Sequence, residues 1–270
     1  MKNKTITILL TACINPDGMS YTTLQDPLRR KEQYIQALSF YLEKTDCKIV
    51  FVENTNTDLS NLFRSYIEEG RLEYYTFNGN NYPKHLGKGY GEGKILAYAM
   101  LHSAFIRKSD YIVKITGRLV ITNISSIINS RVLKCNNNIL RFDYHSVNTV
   151  STVCFVCTPE WLSNYIISYI DRLDDSKGVI IESLFYKQIK STQLPIHLFP
   201  FTVPPQIDGI SGTTSEKYVV KSTLCNIADN TYFLSTVLNE REKKAGSICL
   251  YYLFRILKVI CKIRLAICRE

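Results

Sequence analysis

The chain has 270 residues, of which 46% are hydrophobic and 21% charged, and its net charge is +9. These proportions exclude a disordered chain, and the excess of positive charge predicts an anionic partner. The nine cysteines have irregular spacing, which is typical of a reducing cytoplasm and not of a disulfide framework. The apolar segment Thr5 to Leu10 is too short for a secretory signal, so we expect a cytoplasmic protein. The pair Cys154 and Cys157 has no second pair or histidine cluster beside it, so we predict no metal site there.

Apolar periodicity predicts strands and helices that alternate along the first half of the chain. The predicted strands span Lys4–Ile14, Cys47–Asn54, Leu72–Gly79 and Asp110–Ile115, and the predicted helices between them span Arg29–Glu43, Leu59–Gly70 and Glu92–Ile106. Further on, we predict helices over Ile124–Leu133, Pro159–Leu173 and Ile181–Ile189, with strands over Asn138–Ser146, Thr152–Pro159 and Leu194–Phe201. This order predicts an α/β domain with a mainly parallel sheet flanked by helices.

Polar residues stand at the carboxyl ends of three predicted strands, which is where open parallel sheets bind ligands. They are Thr11 after the first strand, Glu53 and Asn54 after the second, and Lys114, Thr116, Gly117 and Arg118 after the fourth. Burying two cations costs several kcal/mol unless each finds a partner. The side chains of Lys114 and Arg118 therefore either reach water or meet an anionic ligand.

A glycine-rich segment, GKGYGEGK from Gly87 to Lys94, precedes the third predicted helix. We predict a loop here, in which backbone N–H groups such as that of Gly89, together with the charge of Lys88, bind a phosphate. The spacing matches neither the Walker motif nor the dinucleotide fingerprint, and a mobile surface turn is the alternative.

Three cations, Arg29, Arg30 and Lys31, stand near the start of the first predicted helix, where the helix dipole opposes positive charge. A bound diphosphate at Arg30 would explain this placement, and a solvated run of charges would explain it equally well.

Two carboxylates are candidates for a general base. Glu182 stands at the start of a late helix, where a structural role at the helix N-terminus is the alternative. Asp143 follows a predicted strand, where a turn residue is the alternative. The four histidines show no paired spacing, and we interpret them as structural.

With these residues, positions 5 to 220 resemble a bacterial glycosyltransferase of the GT-A fold, of the type that builds capsule and O-antigen polysaccharides. In that fold the fourth strand usually reads DYIxxxDxD, and the DxD motif holds a metal on the nucleotide diphosphate. Asp110 opens a matching strand, but Thr116, Gly117 and Arg118 occupy the DxD position. The resemblance implies that Lys114 and Arg118 neutralise the diphosphate, so that no residue is assigned to a metal. A divalent ion (Mn or Mg) is the alternative cofactor.

The resemblance also implies roles for the remaining candidates. Members of the fold commonly carry an acidic pair at the head of a late helix, which makes Glu182 the expected base, with Ser183 in place of the second acid. Asp143 is the second candidate on the residues alone. The expected donor-binding residues are Thr11, Arg30, Glu53, Asn54, Lys88, Gly89, Lys114, Thr116, Gly117 and Arg118.

The C-terminal part of the chain has a different character. Residues Glu240 to Glu270 carry eight Lys or Arg and three Glu. The 21 residues from Ile248 to Cys268 would span about 31 Å as a helix. They carry too many charges for a membrane span, so we predict a basic amphipathic helix that lies on an anionic membrane. A helix packed on the domain or on a partner is the alternative. We predict a catalytic domain over residues 1–225 and a membrane-associating helical segment over 226–270.

The hypothesis from the sequence is a glycosyltransferase at the cytoplasmic face of the inner membrane, bound peripherally. It would transfer a sugar from a nucleotide-sugar donor to a lipid-linked glycan in capsule, O-antigen or lipopolysaccharide synthesis, with no nucleic-acid partner. A sugar nucleotidyltransferase is the first alternative, although it normally needs a metal and a glycine-rich loop after its first strand. Here TACINPDGMS has one glycine. A non-catalytic protein that docks on membranes or nucleic acid is the second alternative.

Overall fold

A computed structural model describes residues 4–135, 137–146, 148–192, 196–201, 203–219, 222–242 and 256. Its centre is a sheet of five strands: β1 (Ile6–Ala12), β2 (Lys48–Glu53), β3 (Leu72–Thr76), β4 (Tyr111–Thr116) and β9 (Cys154–Cys157). Their order across the sheet is β3-β2-β1-β4-β9. The first four strands are parallel, and β9 runs antiparallel to β4. The predicted α/β class, with a mainly parallel sheet flanked by helices, is therefore confirmed.

Helices cover both faces of this sheet, which explains why its inner strands are apolar along nearly their whole length. The main helices are α1 (Pro27–Lys44), α2 (Arg64–Glu68, after a 3₁₀ turn over Ser60–Phe63), α3 (Gly87–His102), α4 (Ala104–Arg107) and α8 (Ile181–Ser191). One core cluster joins the sheet to α1 through Leu38 and Tyr41, and the other joins it to α3 and α8 through Leu96 and Phe185. Each of these four side chains is completely buried.

The glycine-rich segment is helical, so the predicted loop over Gly87–Lys94 is wrong. Helix α3 begins at Gly87 and includes all four glycines of the segment. Glycine costs about 1 kcal/mol in a helix relative to alanine, but here it permits close packing. A Cβ at Gly93 would lie 2.8 Å from Ile170, and one at Gly89 would lie 3.1 Å from Ile181. Tertiary packing therefore outweighs the low helix propensity.

Short elements connect the main ones. They are β5 (Val120–Ile121), α5 (Ile124–Ile128), α6 (Arg131–Cys135), β6 (Ile139–Leu140), β7 (Tyr144–Ser146), β8 (Thr149–Val150), β10 (His197–Leu198) and β11 (Ile207–Asp208). The helix predicted over Pro159–Leu173 is irregular: α7 (Pro159–Trp161) continues as a π-helical turn over Leu162–Ile166 and a 3₁₀ stretch over Ile167–Arg172. A further 3₁₀ turn, Asp175–Lys177, precedes α8.

Helix α9 (Thr223–Glu242) packs on the sheet domain, and the predicted boundary between residues 225 and 226 falls inside it. The Phe233 ring contacts the rings of Tyr144 and Tyr186, and the Nδ2 atoms of Asn226 and Asn230 donate hydrogen bonds to the Phe201 carbonyl at 2.5 and 2.8 Å.

The predicted amphipathic helix over Ile248–Cys268 lies outside the described residues, apart from Ile256. Within the described part of the chain, we find no helix with the length and apolar character needed to cross a membrane.

Candidate functional site

A cleft of about 170 Å³ opens at the carboxyl edge of the sheet, beyond the ends of β1, β2 and β4. It is the place where parallel sheets expose backbone and side chains from several strands at once. Seven of the predicted site residues line it: Thr11, Arg30, Asn54, Lys88, Thr116, Arg118 and Glu182. The sequence pattern of polar strand ends therefore located the cleft.

Arg30 reaches the cleft from the first turn of α1 and is only 6% exposed. Its Nε donates a hydrogen bond to the Cys13 carbonyl at 2.8 Å, and its Nη1 donates to the Leu24 carbonyl at 3.2 Å. The Nη2 atom donates to the Tyr34 hydroxyl at 3.3 Å. These contacts orient the guanidinium, so the cation near the start of α1 belongs to the cleft and not to a solvated run of charges.

Arg118 enters the cleft from the turn that follows β4, and it is 7% exposed. The turn passes close to β1: the Gly117 N–H donates to the Thr11 carbonyl at 2.9 Å, and a Cβ at Gly117 would lie 2.9 Å from the same oxygen. The Arg118 Nη1 donates a hydrogen bond to the Ile210 carbonyl. Burial lowers the pKa of Arg118, and the charge of Arg30 acts in the same direction.

Within the described ranges, neither Arg30 nor Arg118 has a carboxylate within 4.0 Å of its guanidinium. Carbonyl and hydroxyl oxygens satisfy some of their N–H groups but leave both positive charges uncompensated. Buried charges without a counter-ion are costly. The two arginines therefore bring two positive charges to the cleft that no described carboxylate compensates.

Lys114 differs from the two arginines, because a protein carboxylate neutralises it. Its side chain is completely buried, and its Nζ forms an ion pair with Glu92 and donates to the Thr152 carbonyl at 2.6 Å. Glu92 also accepts a hydrogen bond from the Thr11 hydroxyl at 3.5 Å. The implied direct role of Lys114 in neutralising a diphosphate is therefore not what its placement indicates. Lys114 positions Glu92, which lines the cleft.

Glu53 lies behind the cleft and organises its loops. The carboxylate is completely buried and accepts hydrogen bonds from the backbone N–H groups of Ile14 at 3.1 Å, Thr55 at 2.9 Å and Thr57 at 2.8 Å. It also accepts from the Thr76 hydroxyl at 3.1 Å. Glu53 therefore joins the loops that follow β1 and β2 to the end of β3, and the structure gives it this role instead of a ligand contact.

Three other predicted residues also lie outside the cleft lining. Gly89 packs against Ile181, and Gly117 makes the close turn after β4. The backbone carbonyl of Asp143 accepts from the Ser151 N–H at 2.8 Å, beside β7 and β8. Because Asp143 does not line the cleft, it is not placed to act as a base there.

Asn54 lines the cleft and carries a buried acceptor. The residue is 1% exposed, and its Oδ1 is buried without a hydrogen-bond partner among the described residues. Buried polar atoms are rarely left unpaired. A donor group of a bound ligand would satisfy this oxygen.

Glu182 lies in the first turn of α8 and faces the cleft, near a second carboxylate that the sequence did not single out. This second residue, Asp175, accepts a hydrogen bond from the Lys88 backbone N–H at the start of α3. Burial, followed by the charge of Glu182, raises the pKa of Asp175 from 3.8 to about 6. The charge of Glu182 therefore acts on Asp175, which lies behind the residues that line the cleft.

A segment from Gly209 to Tyr218 covers part of the cleft. The Gly212 carbonyl accepts a hydrogen bond from the Thr23 N–H at 2.8 Å, and the Thr213 hydroxyl accepts one from the Lys88 Nζ. Burial raises the pKa of Tyr218, whose hydroxyl lies in the field of Arg118 and of two carboxylates.

Sequence reasoning missed several residues that line the cleft: Tyr34, Tyr82, Glu92, Gly212, Thr213 and Tyr218. One feature of the sequence could have indicated Glu92, because it is the only acidic residue in the glycine-rich segment. The others come from helices and loops far apart in the chain and carry no local pattern.

The side chains of the site do not fit the divalent metal that was expected as the alternative cofactor. Among the residues that the structure describes, no group of three or more His, Cys, Asp or Glu side chains could hold a metal ion. The DxD position carries Arg118, and Lys114 already neutralises Glu92. Oxygen ligands of Mg²⁺ or Mn²⁺ are carboxylates and carbonyls, and an arginine beside them opposes the ion.

Comparison with known proteins gives similarities of structure only. No protein-family model and no curated protein matches the sequence. A provisionally assigned nucleotide-diphospho-sugar transferase from Desulfovibrio desulfuricans G20 is similar at 11% identity and a TM-score of 0.46, over 93% of this chain and 96% of that one. The mannosyltransferase Ktr4p from S. cerevisiae is similar at 11% identity and a TM-score of 0.41, over 74% of this chain and 72% of that one.

The S. aureus protein TarS (residues 1–349) in complex with UDP is similar at 10% identity and a TM-score of 0.40, over 93% of this chain and 70% of that one. Because all three TM-scores are below 0.5, the function has to be inferred from the cleft itself.

Proposed function

We propose that the protein is a glycosyltransferase that takes its sugar from a nucleotide-sugar donor. The observation that carries this proposal is the pair of buried guanidinium groups, Arg30 and Arg118, without a carboxylate partner in the described chain. They stand at the carboxyl edge of a parallel sheet, in a cleft that is also lined by Asn54, whose buried Oδ1 has no hydrogen-bond partner among the described residues.

A nucleoside diphosphate matches this arrangement. Its phosphates carry the negative charge that would compensate the two arginines. A guanidinium binds phosphate through parallel N–H groups in a fixed geometry. Lys88 lines the same cleft and adds a third positive charge. Asn54 would accept a hydrogen bond from a hydroxyl or amide group of the nucleoside.

The transfer step follows from the positions of Glu182 and the arginines. The Glu182 carboxylate accepts the proton of an acceptor hydroxyl, whose oxygen bonds to the anomeric carbon of the donor sugar. The bond from that carbon to the diphosphate breaks, and the electron pair leaves with the nucleoside diphosphate. Fixed guanidinium groups are most effective where charge develops in the transition state, which here is on the leaving group.

We further propose that the acceptor is a lipid-linked glycan in capsule, O-antigen or lipopolysaccharide synthesis, and that the protein acts peripherally at the cytoplasmic face of the inner membrane. The support is the basic and apolar composition of residues 246–270. Deletion of these residues should abolish co-sedimentation with anionic vesicles and leave nucleotide binding intact. Equal sedimentation of both chains would contradict the membrane role.

The alternatives have less support. A sugar nucleotidyltransferase normally uses a metal, and the described residues show no donor set for one. A non-catalytic docking protein needs no buried, carbonyl-oriented arginines or unpaired amide oxygen beneath its surface.

The proposal is tested by thermal shift with UDP- and GDP-sugars, with and without a chelator. Arg118→Ala should weaken donor binding by about 1.5–3 kcal/mol, which is roughly 10- to 150-fold. Arg64→Ala is the matched control, because Arg64 forms an exposed ion pair with Glu68 on α2. The chelator should leave the shift unchanged. Equal donor binding by the parent and Arg118→Ala would refute the assignment, and loss of binding in chelator would show that a metal carries it.

A further inference from the structure

A second groove, of about 440 Å³, runs along the outer face of α3. Its walls are the rings of Phe77, Tyr90 and Tyr98, and its floor includes Ala97, Ile167 and Ile170. Tyr90, Ala97 and Tyr98 follow helical spacing on one side of α3, whereas Gly91, Glu92 and Ile95 face the cleft on another. One helix therefore forms a wall of both cavities.

Two contacting tyrosines lie between the groove and the cleft. The ring of Tyr82, which lines the cleft, lies edge to face with that of Tyr90, which lines the groove, at 4.9 Å between centroids. The groove therefore borders the cleft at this pair of rings.

Ring–ring contacts within the protein fix the positions of the aromatic side chains of the groove. The Tyr98 ring stacks on Phe77 at 4.1 Å with a 10° angle between the planes, and it contacts the ring of His102 at 4.1 Å. Leu101, at the end of the groove, is 71% exposed. A preformed apolar surface of this kind, left open to water, is typical of a binding site.

The groove carries polar groups as well as aromatic rings. In the described part of the chain, no group is hydrogen-bonded to the hydroxyls of Tyr90 and Tyr98 or to the carboxylate of Asp171. The Lys94 Nζ lies 5.8 Å from the centre of the Tyr90 ring. Lys94 and Asp171 have opposite charges, so the groove lacks the positive excess of the cleft.

We infer that this groove binds sugar residues of the acceptor glycan, an inference that rests on the proposed function. A sugar ring has an apolar face of C–H groups and a rim of hydroxyls, and both find partners here. The C–H face packs on aromatic and aliphatic side chains, while the hydroxyls bond to tyrosine, lysine and aspartate. The balanced charge favours a glycan over a second nucleotide.

The test is binding of the full chain to an array of bacterial surface glycans. Ala97→Trp, which fills the groove, should weaken glycan binding and raise the acceptor KM, each by roughly tenfold. Tyr90→Ala, which removes a wall, should have the same direction of effect. Leu62→Trp is the control, because Leu62 is 61% exposed and neighbours Phe63 of the other core cluster. Donor binding should be unchanged in all three.

Arg118→Ala separates this inference from the proposed function, since it should lose donor binding and keep glycan binding. A parent chain that binds glycans through the groove but no nucleotide sugar would overturn the proposed function alone. Unchanged glycan binding by a folded Ala97→Trp chain would overturn the groove assignment, as would a parent chain that binds no glycan on the array.

Discussion

The two edges of the central sheet are both basic, but the positive side chains are mostly exposed at one edge and buried at the other. At the amino edge, a groove of about 940 Å³ is lined by lysines: Lys4, Lys44, Lys48, Lys108 and Lys134. All but Lys4 are exposed, and Lys44 and Lys134 stand in the last turns of α1 and α6. Helix C-termini favour cations, so local structure and water account for these charges.

At the carboxyl edge, the guanidiniums of Arg30 and Arg118 are buried and held by carbonyl oxygens. No carboxylate of the described residues lies within 4.0 Å of either guanidinium. The comparison shows that the number of positive charges is a poor guide to a binding site. Burial, fixed geometry and the lack of an internal counter-ion distinguish the cleft.

The largest effect that we expect from this comparison is catalytic. Glu182→Gln should lower turnover by about 10²- to 10⁴-fold with little change in donor binding, because a general base contributes by this amount and the amide keeps the shape. Glu160→Gln is the matched control, since Glu160 is an exposed glutamate in the first turn of α7. Steady-state rates check the prediction, and a loss below about tenfold would leave Glu182 with a role in the helix start alone.

Breaking the internal ion pair should have the next largest effect. Lys114→Met leaves Glu92 without its partner and should lower the free energy of unfolding by about 3–5 kcal/mol, as measured in urea. Adding Glu92→Gln to Lys114→Met should recover part of the lost free energy of unfolding. Lys134→Met, at the amino edge, should change stability by less than about 0.5 kcal/mol. Similar losses for the two lysine variants would contradict the distinction between the edges.

The smallest effect concerns pH. Because the folded pKa of Asp175 is raised from 3.8 to about 6, its contribution to stability is complete below pH 3.8 and is lost as the pH rises through about 6. Asp175→Asn removes this loss. Allowing for solvent screening of a partly exposed group, the variant should gain about 1 kcal/mol over the parent between pH 4 and pH 7.5. Unfolding curves at the two pH values test this, and parallel pH dependence of both chains would rule it out.

The sequence by itself determined the main elements of the fold. Continuous apolar runs specified β1, β2 and β4, and their alternation with amphipathic helices specified the parallel sheet, because both signals are local and periodic. Strand-end polarity also predicted the edge at which the cleft opens and placed Arg118 there, since parallel strands have their carboxyl ends at one edge.

Only the tertiary structure decided which of the two cations, Lys114 or Arg118, has a carboxylate partner. Lys114 and Arg118 look equivalent in the sequence, but Glu92, brought from α3, neutralises the lysine, and no described carboxylate reaches the arginine. Tertiary packing also explains why the glycine-rich segment is a helix and not the predicted loop, and why Glu53 binds backbone N–H groups and not a ligand. Local propensity does not reveal these outcomes, because each depends on which side chain arrives from a distant element and how closely it packs.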